Sequence, residues 1–247
     1  MINIHKCIVL DQWLSGILHK NAYKIVNVDS FLEMVKDEKN SLMRMINTDS
    51  FFLYAKVSVD SLTYINALEK QGFHLVDTNI SFEKQISFPG NMIGHCRIRF
   101  ATPDDEEQTV ELANKSFKYS RFHLDSFFSN EVANNIKAEW VRSFFMEKRG
   151  DAMIVALIDN TIVGFLLLLQ DDERITIDLI AVDSNFRGEG IAKDMIMYSQ
   201  DCYKDLSFIR VGTQLVNRPS INLYENLFFR FIEAKYVFHY HSLNSWS

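Results

Sequence analysis

A strand-like run, a glycine-rich turn and a helix-like pattern follow one another in this chain, and this succession most constrains its fold. Residues 175–182 are an apolar strand-like run, and the turn-rich segment 183–190 follows it. Residues at helical spacing come next, namely Ile191, Ala192, Met195, Ile196 and Ser199. The first free backbone N–H groups of this helix therefore point into a loop with few side chains, and such a helix start binds anions, phosphate best of all.

Composition limits the partners that this anion site serves. The 247 residues carry a formal net charge of -6, with a pI near 5.7. A mildly acidic chain has no general attraction for nucleic acid or anionic lipid, so we expect neither nucleic acid nor a membrane as partner. Any bound phosphate must be held by a local site. The hydrophobic fraction of 47% predicts a well-packed globular protein.

The cysteines and the apolar runs predict the cellular setting. Cys7, Cys96 and Cys202 show neither a pairing pattern nor a metal-ligand spacing, so we expect reduced thiols and no metal. The start of the chain lacks the pattern of a secretory leader, and the longest apolar run, residues 162–169, is too short to cross a bilayer. These features predict a cytoplasmic protein.

Turn residues divide the chain into two predicted domains. Pro89, Gly90 and Gly94 concentrate where the apolar pattern lapses, which predicts a linker. The predicted domains are residues 1–90 and 95–247. The first domain has the pattern of mixed helix and strand, with helices near 31–35 and 62–70 and strands near 51–59 and 75–82.

The second domain shows the predicted order β-α-α-β-β-β-α-β-α-β. Thr102 and Pro103 open its first helix as a cap with proline in the first turn. Asp159-Asn160 predicts a tight turn between two strands. The predicted strands are 98–100, 152–158, 161–169, 175–182, 208–215 and 234–240, and the predicted helices are 102–117, 131–146, one from Gly190 and one near Pro219.

A gapless alignment of the chain with itself indicates an internal repeat. With Phe52 set opposite Phe208, a gapless alignment pairs identical residues at several positions. The matched pairs are Ile65 with Ile221, Asn66 with Asn222, Glu69 with Glu225, Phe73 with Phe229, and Phe82 with Phe238. Each half then ends in strand, helix, strand, but only the second half carries the glycine loop.

The glycine loop resembles the acetyl-CoA signature of the Gcn5-related N-acetyltransferases (GNAT), Gln/Arg-x-x-Gly-x-Gly/Ala at a strand-to-helix turn. The loop matches it with Arg187, Gly190 and Ala192. The third glycine of a dinucleotide fingerprint is absent, and no Gly-Lys-Ser/Thr follows. The resemblance implies an α/β (α+β) GNAT fold with a mixed central sheet, preceded by a smaller, degenerate half-GNAT domain. It also implies acetyl-CoA as the acetyl donor.

The resemblance extends to the segment 217–224. It implies that Asn217 contacts the pantetheine arm of CoA and that Tyr224 is the general acid that protonates the departing thiolate. Spacing alone leaves another interpretation of Tyr224 open, an aromatic core residue with a capped hydroxyl. The implied cofactor-binding residues are Ile180, Ala181, Val182, Arg187, Gly188, Glu189, Gly190, Ile191, Ala192, Asn217, Ser220 and Tyr224.

More narrowly, the chain resembles the TDP-fucosamine acetyltransferases in segments 120–122, 213–214 and 217–224. This resemblance implies acetylation of a dTDP-linked 3- or 4-amino-dideoxyhexose for surface polysaccharide biosynthesis, by direct attack in a ternary complex. The chain departs from the family at residues 123–125. The candidate substrate-binding residues are Arg121, His123, Asp125 and Gln214.

The general base is the least determined role. An ammonium group must lose a proton before its nitrogen attacks a thioester, and His123 has the unperturbed pKa nearest the working pH. Asp178 on the strand beside the cofactor is a second candidate, and Asp125 is a third. A chain of water molecules could replace all three.

Other functions stay open at this point. The acceptor could be another primary amine, such as a polyamine, an antibiotic or a protein N-terminus, and the acidic balance suits a cationic acceptor. A CoA-sensing module that kept the fold and lost the chemistry is the alternative from another class. A homodimer is also compatible with the sequence.

Overall fold

The computed structural model describes residues 7–35, 50–87, 94 and 96–242. Its contacts divide the chain into two units. The first unit comprises residues 1–79, 124–129 and 234–247, and the second comprises residues 80–123 and 130–233. Pro89 and Gly90 of the predicted linker lie outside the described residues, so the predicted domain boundaries at 90 and 95 stay a prediction. No helix in the described part of the chain is long and apolar enough to span a membrane.

The first unit contains a mixed sheet with the strand order β1-β2-β3-β10. Strand β2 runs antiparallel to β1 and parallel to β3, and β10 is antiparallel to β3. The elements that lie in this unit or begin or end in it are β1 (Ile8–Leu10), α1 (Gln12–Leu18), β2 (Asn21–Ile25), α2 (Val28–Val35), β3 (Phe51–Ser58), α3 (Leu62–Lys70), β4 (His74–Gln85) and β10 (Arg230–His241).

Aromatic side chains fill the core of the first unit. Phe31 from α2 meets Phe73 edge to face, with ring centroids 5.8 Å apart. Leu68 of α3 and Phe238 of β10 are fully buried in the same cluster. These contacts place the apolar faces of α2 and α3 against the sheet, as the helical spacing of their apolar residues predicts.

The second unit has the strand order β4-β9-β8-β7-β6-β5, in which the β8–β9 pair is parallel. Strands β5 to β8 are antiparallel to their neighbours within this group. The remaining elements are β5 (Arg97–Phe100), α4 (Glu106–Ser116), α5 (Asn130–Phe145), β6 (Ala152–Ile158), β7 (Thr161–Gln170), β8 (Arg174–Val182), α6 (Ile191–Cys202), β9 (Phe208–Gln214) and α7 (Arg218–Asn226). The predicted element order and the predicted fold class with a mixed sheet are confirmed.

Local signals set the ends of these elements as predicted. Asp159 and Asn160 both adopt positive φ, 47° and 64°, which a two-residue turn between β6 and β7 requires. Thr102 and Asp105 form a capping box before α4, and Arg99 holds the Asp105 carboxylate at 2.6 and 2.9 Å. The pKa of Asp105 is lowered chiefly by this hydrogen bond.

Residues 8–25 form the part of the fold for which the sequence predicted no individual element. They contain β1, α1 and β2, each of seven residues or fewer. Asp11 caps α1, since its side chain accepts a hydrogen bond from the Leu14 N–H at 2.9 Å. Apolar periodicity gives little signal over such short runs.

The predicted repeat of strand, helix and strand is present. At the shift that sets Phe52 opposite Phe208, the first and last residues of α3 coincide with those of α7, and those of β4 with those of β10. The residue two positions after each helix is left-handed in both copies, at Gly72 with φ 84° and at Phe228 with φ 63°. One copy therefore places a bulky residue where the other has glycine.

Replacing Phe228 by glycine tests this backbone strain. The Phe228 side chain is 81% exposed, so its removal costs little burial, while a left-handed conformation is costly for any residue with a Cβ. We expect Phe228→Gly to stabilise the protein by roughly 0.5 to 1 kcal/mol, measured as a higher urea midpoint at unchanged slope. Gly72→Ala is the matched control and should lower the midpoint. A lower midpoint for Phe228→Gly would mean that the exposed ring packs against its surroundings.

Candidate active site

The loop between β8 and α6 leaves a helix start without a side-chain cap. Gly188 and Gly190 have φ of 87° and 84°, and a Cβ built on either meets no atom within 4 Å. Backbone conformation, and not lack of space, therefore requires glycine here. Gly190 is the N-cap of α6 and makes no side-chain cap hydrogen bond. The N–H groups of the first turn lack helical acceptors, so this end of α6 is suited to an anion.

Arg187 braces this loop with its side chain. Its Nε donates to the Val182 carbonyl at 3.0 Å, and its Nη2 donates to the Ser116 carbonyl at 3.0 Å. The guanidinium thus ties the end of β8 to the end of α4. Phosphate recognition at this loop would therefore rest on backbone N–H groups and the helix dipole.

Strands β8 and β9 are paired over only part of their length. Their parallel ladder runs from Arg174 opposite Phe208 to Ile177 opposite Val211, while β8 continues to Val182 and β9 to Gln214. The separation coincides with an irregularity in the β7–β8 ladder, where Leu167 faces Leu179 and Leu168 faces Ile177. Residues 178–182 of β8 therefore have a backbone edge outside the β9 ladder, which is suited to an extended ligand.

Asn217 fixes the start of α7 beside the end of β9. Its Oδ1 accepts a hydrogen bond from the Ser220 N–H at 3.4 Å, and its Nδ2 donates to Thr213 Oγ1 at 3.2 Å. Pro219 occupies the first turn of the helix, where its missing N–H is not needed. The amide of Asn217 is therefore held in one orientation.

Tyr224 is buried in α7, with 2% of its surface exposed. Its ring lies 6.0 Å from Phe82 and 5.6 Å from Phe229, measured between centroids. Burial raises the pKa of Tyr224 well above its ordinary value, and a hydrogen bond with Ser220 opposes that shift. The hydroxyl is therefore protonated at neutral pH and available as a hydrogen-bond donor.

Asp178 forms an ion pair with Arg149 and accepts a further hydrogen bond from Trp140. Arg149 donates from Nε at 2.8 Å and from Nη2 at 2.9 Å, and Trp140 Nε1 donates at 2.7 Å to the same carboxylate. The Arg149 guanidinium also lies 4.2 Å from the Trp140 ring centroid. These three donors occupy a carboxylate whose side chain is only 10% exposed.

His123 is held at both ring nitrogens. Nδ1 lies 2.6 Å from Ser120 Oγ, and Nε2 lies 2.9 Å from Asn134 Oδ1. Because an amide oxygen only accepts, Nε2 carries the proton and Nδ1 accepts from the Ser120 hydroxyl. Burial lowers the pKa of His123, the positive charge of Lys137 lowers it further, and the Asn134 hydrogen bond opposes both. The ring is therefore neutral at pH 7.

The other candidate substrate residues, Arg121, Gln214 and Asp125, lie in different local environments. The Arg121 guanidinium lies over the Phe122 ring at 4.5 Å, and Gln214 is half-buried at the end of β9. Asp125 belongs to the first unit, whereas His123 belongs to the second. Burial would raise the pKa of Asp125, but hydrogen bonds from His239, His241 and the Phe127 N–H outweigh it and lower that pKa strongly.

Two segments of the predicted cofactor site, the loop before Gly190 and the turn before Asn217, follow neighbouring strands of the second unit. Strands β8 and β9 are parallel, so the loop after Val182 and the turn after Gln214 both follow carboxyl ends of neighbouring strands. Sequence reasoning missed Arg149, Trp140 and Asn134 as partners of the candidate catalytic side chains. No sequence signal links Trp140 to Asp178, which lies 38 residues away.

Comparisons with known proteins agree with this geometry. Residues 109–229 match the family model "Acetyltransferase (GNAT) family". The spore coat polysaccharide biosynthesis protein SpsD of Bacillus subtilis is 26% identical over 92% of this chain and 80% of its own. The N-acetylaspartate synthetase of Homo sapiens is 29% identical over 48% of this chain, which spans 39% of that relative.

Solved structures show the same architecture. A tandem GNAT protein from the clavulanic acid biosynthesis pathway superimposes with a TM-score of 0.60 at 11% identity, covering 91% of this chain and 76% of that protein. An identity this low supports the fold alone. With the family match over residues 109–229 and the uncapped helix start after β8, this part of the chain is an acetyltransferase domain of the GNAT family.

Proposed function

We propose that this enzyme transfers the acetyl group of acetyl-CoA to the amino group of a dTDP-linked 3- or 4-amino-dideoxyhexose, for surface polysaccharide biosynthesis. The observation that carries this proposal is the extent of the similarity to SpsD, a polysaccharide biosynthesis protein, over 92% of the chain. That similarity extends well beyond the family match at 109–229. The part outside the acetyltransferase match is the natural place for features that select the acceptor.

Features of the second unit support the proposed donor site. The free edge of residues 180–182 suits the amides of a pantetheine arm, and the start of α6 after Gly190 suits the pyrophosphate. Asn217, at the end of the neighbouring strand, offers an amide held in one orientation. Ser220 supports the Tyr224 hydroxyl. In this arrangement the donor lies along β8, and its reactive end is near Tyr224.

The reaction needs one bond made and one broken. The neutral amine nitrogen attacks the acetyl carbon, the carbon–sulfur bond breaks, and its electron pair stays on sulfur. The proton that the nitrogen loses as the amide forms balances the proton that Tyr224 gives to sulfur. Backbone N–H groups of residues 180–182 are suited to polarise the carbonyl oxygen. Tyr224 stabilises the departing thiolate by donating its hydroxyl proton, and its raised pKa keeps that proton in place until sulfur carries charge. No covalent enzyme intermediate is required.

His123 is the better candidate base in the second unit. Asp178 is engaged by Arg149 and Trp140, so a proton on its carboxylate would cost the ion pair. His123 is neutral, and its Nδ1 is the basic nitrogen. Because Ser120 Oγ lies on Nδ1, a proton reaches this nitrogen through the Ser120 hydroxyl or after that hydroxyl moves.

Tyr224→Phe tests the acid. The buried ring is kept, so we expect folding to persist, while loss of the hydroxyl should lower kcat by about 100-fold or more. The KM for acetyl-CoA should stay within about twofold because the hydroxyl acts mainly on the transition state. Thiol release gives the rates, and circular dichroism checks the fold. An unchanged kcat would remove Tyr224 from the chemistry.

The pH dependence of kcat separates the two candidate bases. A base works in its unprotonated form, so activity should fall as pH falls through its pKa, which burial places below the ordinary value for His123. We expect His123→Asn and Ser120→Ala to lose or shift this acidic limb. Asp178→Asn should keep the limb and lower the melting temperature, because it removes an ion-pair partner. If all three variants retain the parent profile, water removes the proton.

A panel of acceptors tests the substrate class. Free thiol is followed after mixing the enzyme and acetyl-CoA with dTDP-linked 3-amino and 4-amino dideoxyhexoses, spermidine, an aminoglycoside, aspartate and a short peptide. We expect kcat/KM to be highest for a dTDP-linked sugar and to drop at least tenfold for the same sugar without the nucleotide. A higher kcat/KM for any other amine would overturn the proposed substrate class. Acetyl-CoA stabilisation in thermal shift with no turnover on any amine would indicate a CoA-sensing module.

A further inference from the structure

Three segments of the first unit bring histidine and carboxylate groups together. His74 begins β4, Asp125 lies in the segment 124–129, and His239 and His241 lie two residues apart on β10. Residues two apart on a strand share a face, so both β10 histidines point to the same side of the sheet. The cluster therefore results from the fold, since 116 residues separate Asp125 from His241.

His239 and His241 hydrogen-bond the Asp125 carboxylate, whereas His74 lies beyond good hydrogen-bond distance of it. His239 Nδ1 lies 2.6 Å and His241 Nε2 lies 2.8 Å from Asp125 Oδ2. His74 Nε2 lies 3.6 Å from Asp125 Oδ1, which is too long for a good hydrogen bond. This nitrogen is buried and has no hydrogen-bond partner among the described residues, although 40% of the side chain is exposed.

A buried imidazole nitrogen without a partner calls for an explanation, since leaving it unsatisfied costs about 1 to 3 kcal/mol. One ligand atom from each of His74, Asp125 and His241 lies within 4.8 Å of the other two. Ligand atoms around a tetrahedral zinc ion are roughly 3.3 to 3.5 Å apart, given bonds of about 2.0 to 2.1 Å. The observed separations of 2.8 and 3.6 Å lie on either side of that value.

We propose that His74, Asp125 and His241 form a binding site for a divalent transition metal, with zinc as the ion of choice. Two imidazoles and one carboxylate are ligands that zinc takes readily, whereas magnesium and calcium prefer oxygen ligands alone. Three protein ligands leave a fourth position for water or a small ligand. The acetyl transfer proposed above requires no metal, so the two proposals stand or fall separately.

The surroundings hold the ligands in place. His239 hydrogen-bonds the Asp125 carboxylate from outside the ligand set, as second partners of metal ligands commonly do. Phe127 stacks on His241, with centroids 4.4 Å apart and planes 12° apart. Phe52 contacts His239 and His241 at 4.7 and 5.0 Å. The rings are therefore oriented before any metal arrives.

Metal binding requires one rearrangement at His241. Its Nε2 now faces the carboxylate as a hydrogen-bond donor, so coordination through Nε2 places the ring proton on Nδ1. The positive charge of Lys20 interacts with Asp125 and opposes a dication. We therefore expect weaker affinity than at a zinc site without a neighbouring ammonium group.

The test uses the untagged full-length protein, stripped with EDTA and dialysed. Titration with Co²⁺ is followed by its visible bands, and titration with Zn²⁺ by calorimetry and by metal analysis after gel filtration. We expect one equivalent of metal and no thiolate-to-cobalt charge-transfer band. His74→Asn should weaken binding at least tenfold. The matched control is His19→Asn, an exposed histidine in a left-handed conformation that asparagine tolerates, and it should bind as the parent does.

Each outcome of these titrations either supports or overturns the proposed metal site. Circular dichroism establishes that both variants fold, which the exposure of His74 favours. Failure of the folded parent protein to bind either metal would overturn the site, as would equal binding by parent and His74→Asn. A thiolate band would also overturn it, because it would place the metal on Cys7, Cys96 or Cys202. Acetyl transfer assayed with and without EDTA reports separately on the proposed function.

Discussion

The separation of β8 from β9 beyond the end of their ladder is the constraint on which the rest of the site in the second unit depends. Backbone groups in a sheet interior must be paired, yet the β8–β9 ladder ends at Ile177 and Val211 while both strands continue. The unpaired edge of β8 leads directly into the Gly188–Gly190 loop and the uncapped start of α6. An extended ligand with an anionic end therefore meets backbone donors and acceptors along its length. Side chains such as Arg187 stabilise this shape from behind.

Much of this arrangement was predictable because its signals are local. Two glycines at a strand-to-helix turn, proline in the first turn of α7 and the Asp159-Asn160 turn each act within a few residues. Their conformations follow from the backbone preferences of glycine and proline, which can be recognised from the residue types alone. The predicted strands and helices of the second unit accordingly match the observed ones to within four residues at either end.

The chemistry of individual side chains was less predictable because it depends on distant partners. From the sequence, Asp178 is an acidic residue on a strand with no indicated partner. In the structure Arg149, 29 residues away, donates to both of its carboxylate oxygens. Asp125 was a candidate for substrate binding, but its partners His239 and His241 lie more than 110 residues further along the chain. No spacing rule connects such positions. The tertiary fold alone determines which acid is available and which is already paired.

The internal repeat explains how Tyr224 is both a core residue and a candidate acid. At the repeat shift, Tyr224 falls on Leu68 and Asn217 on Ser61, which caps α3 without a side-chain hydrogen bond. Leu68 is fully buried, and Tyr224 is 2% exposed, so both occupy a packing position on the helix. The ring of Tyr224 therefore satisfies the same packing requirement as Leu68. Its hydroxyl is the added group, and a buried hydroxyl is retained only where it is hydrogen-bonded, here to Ser220.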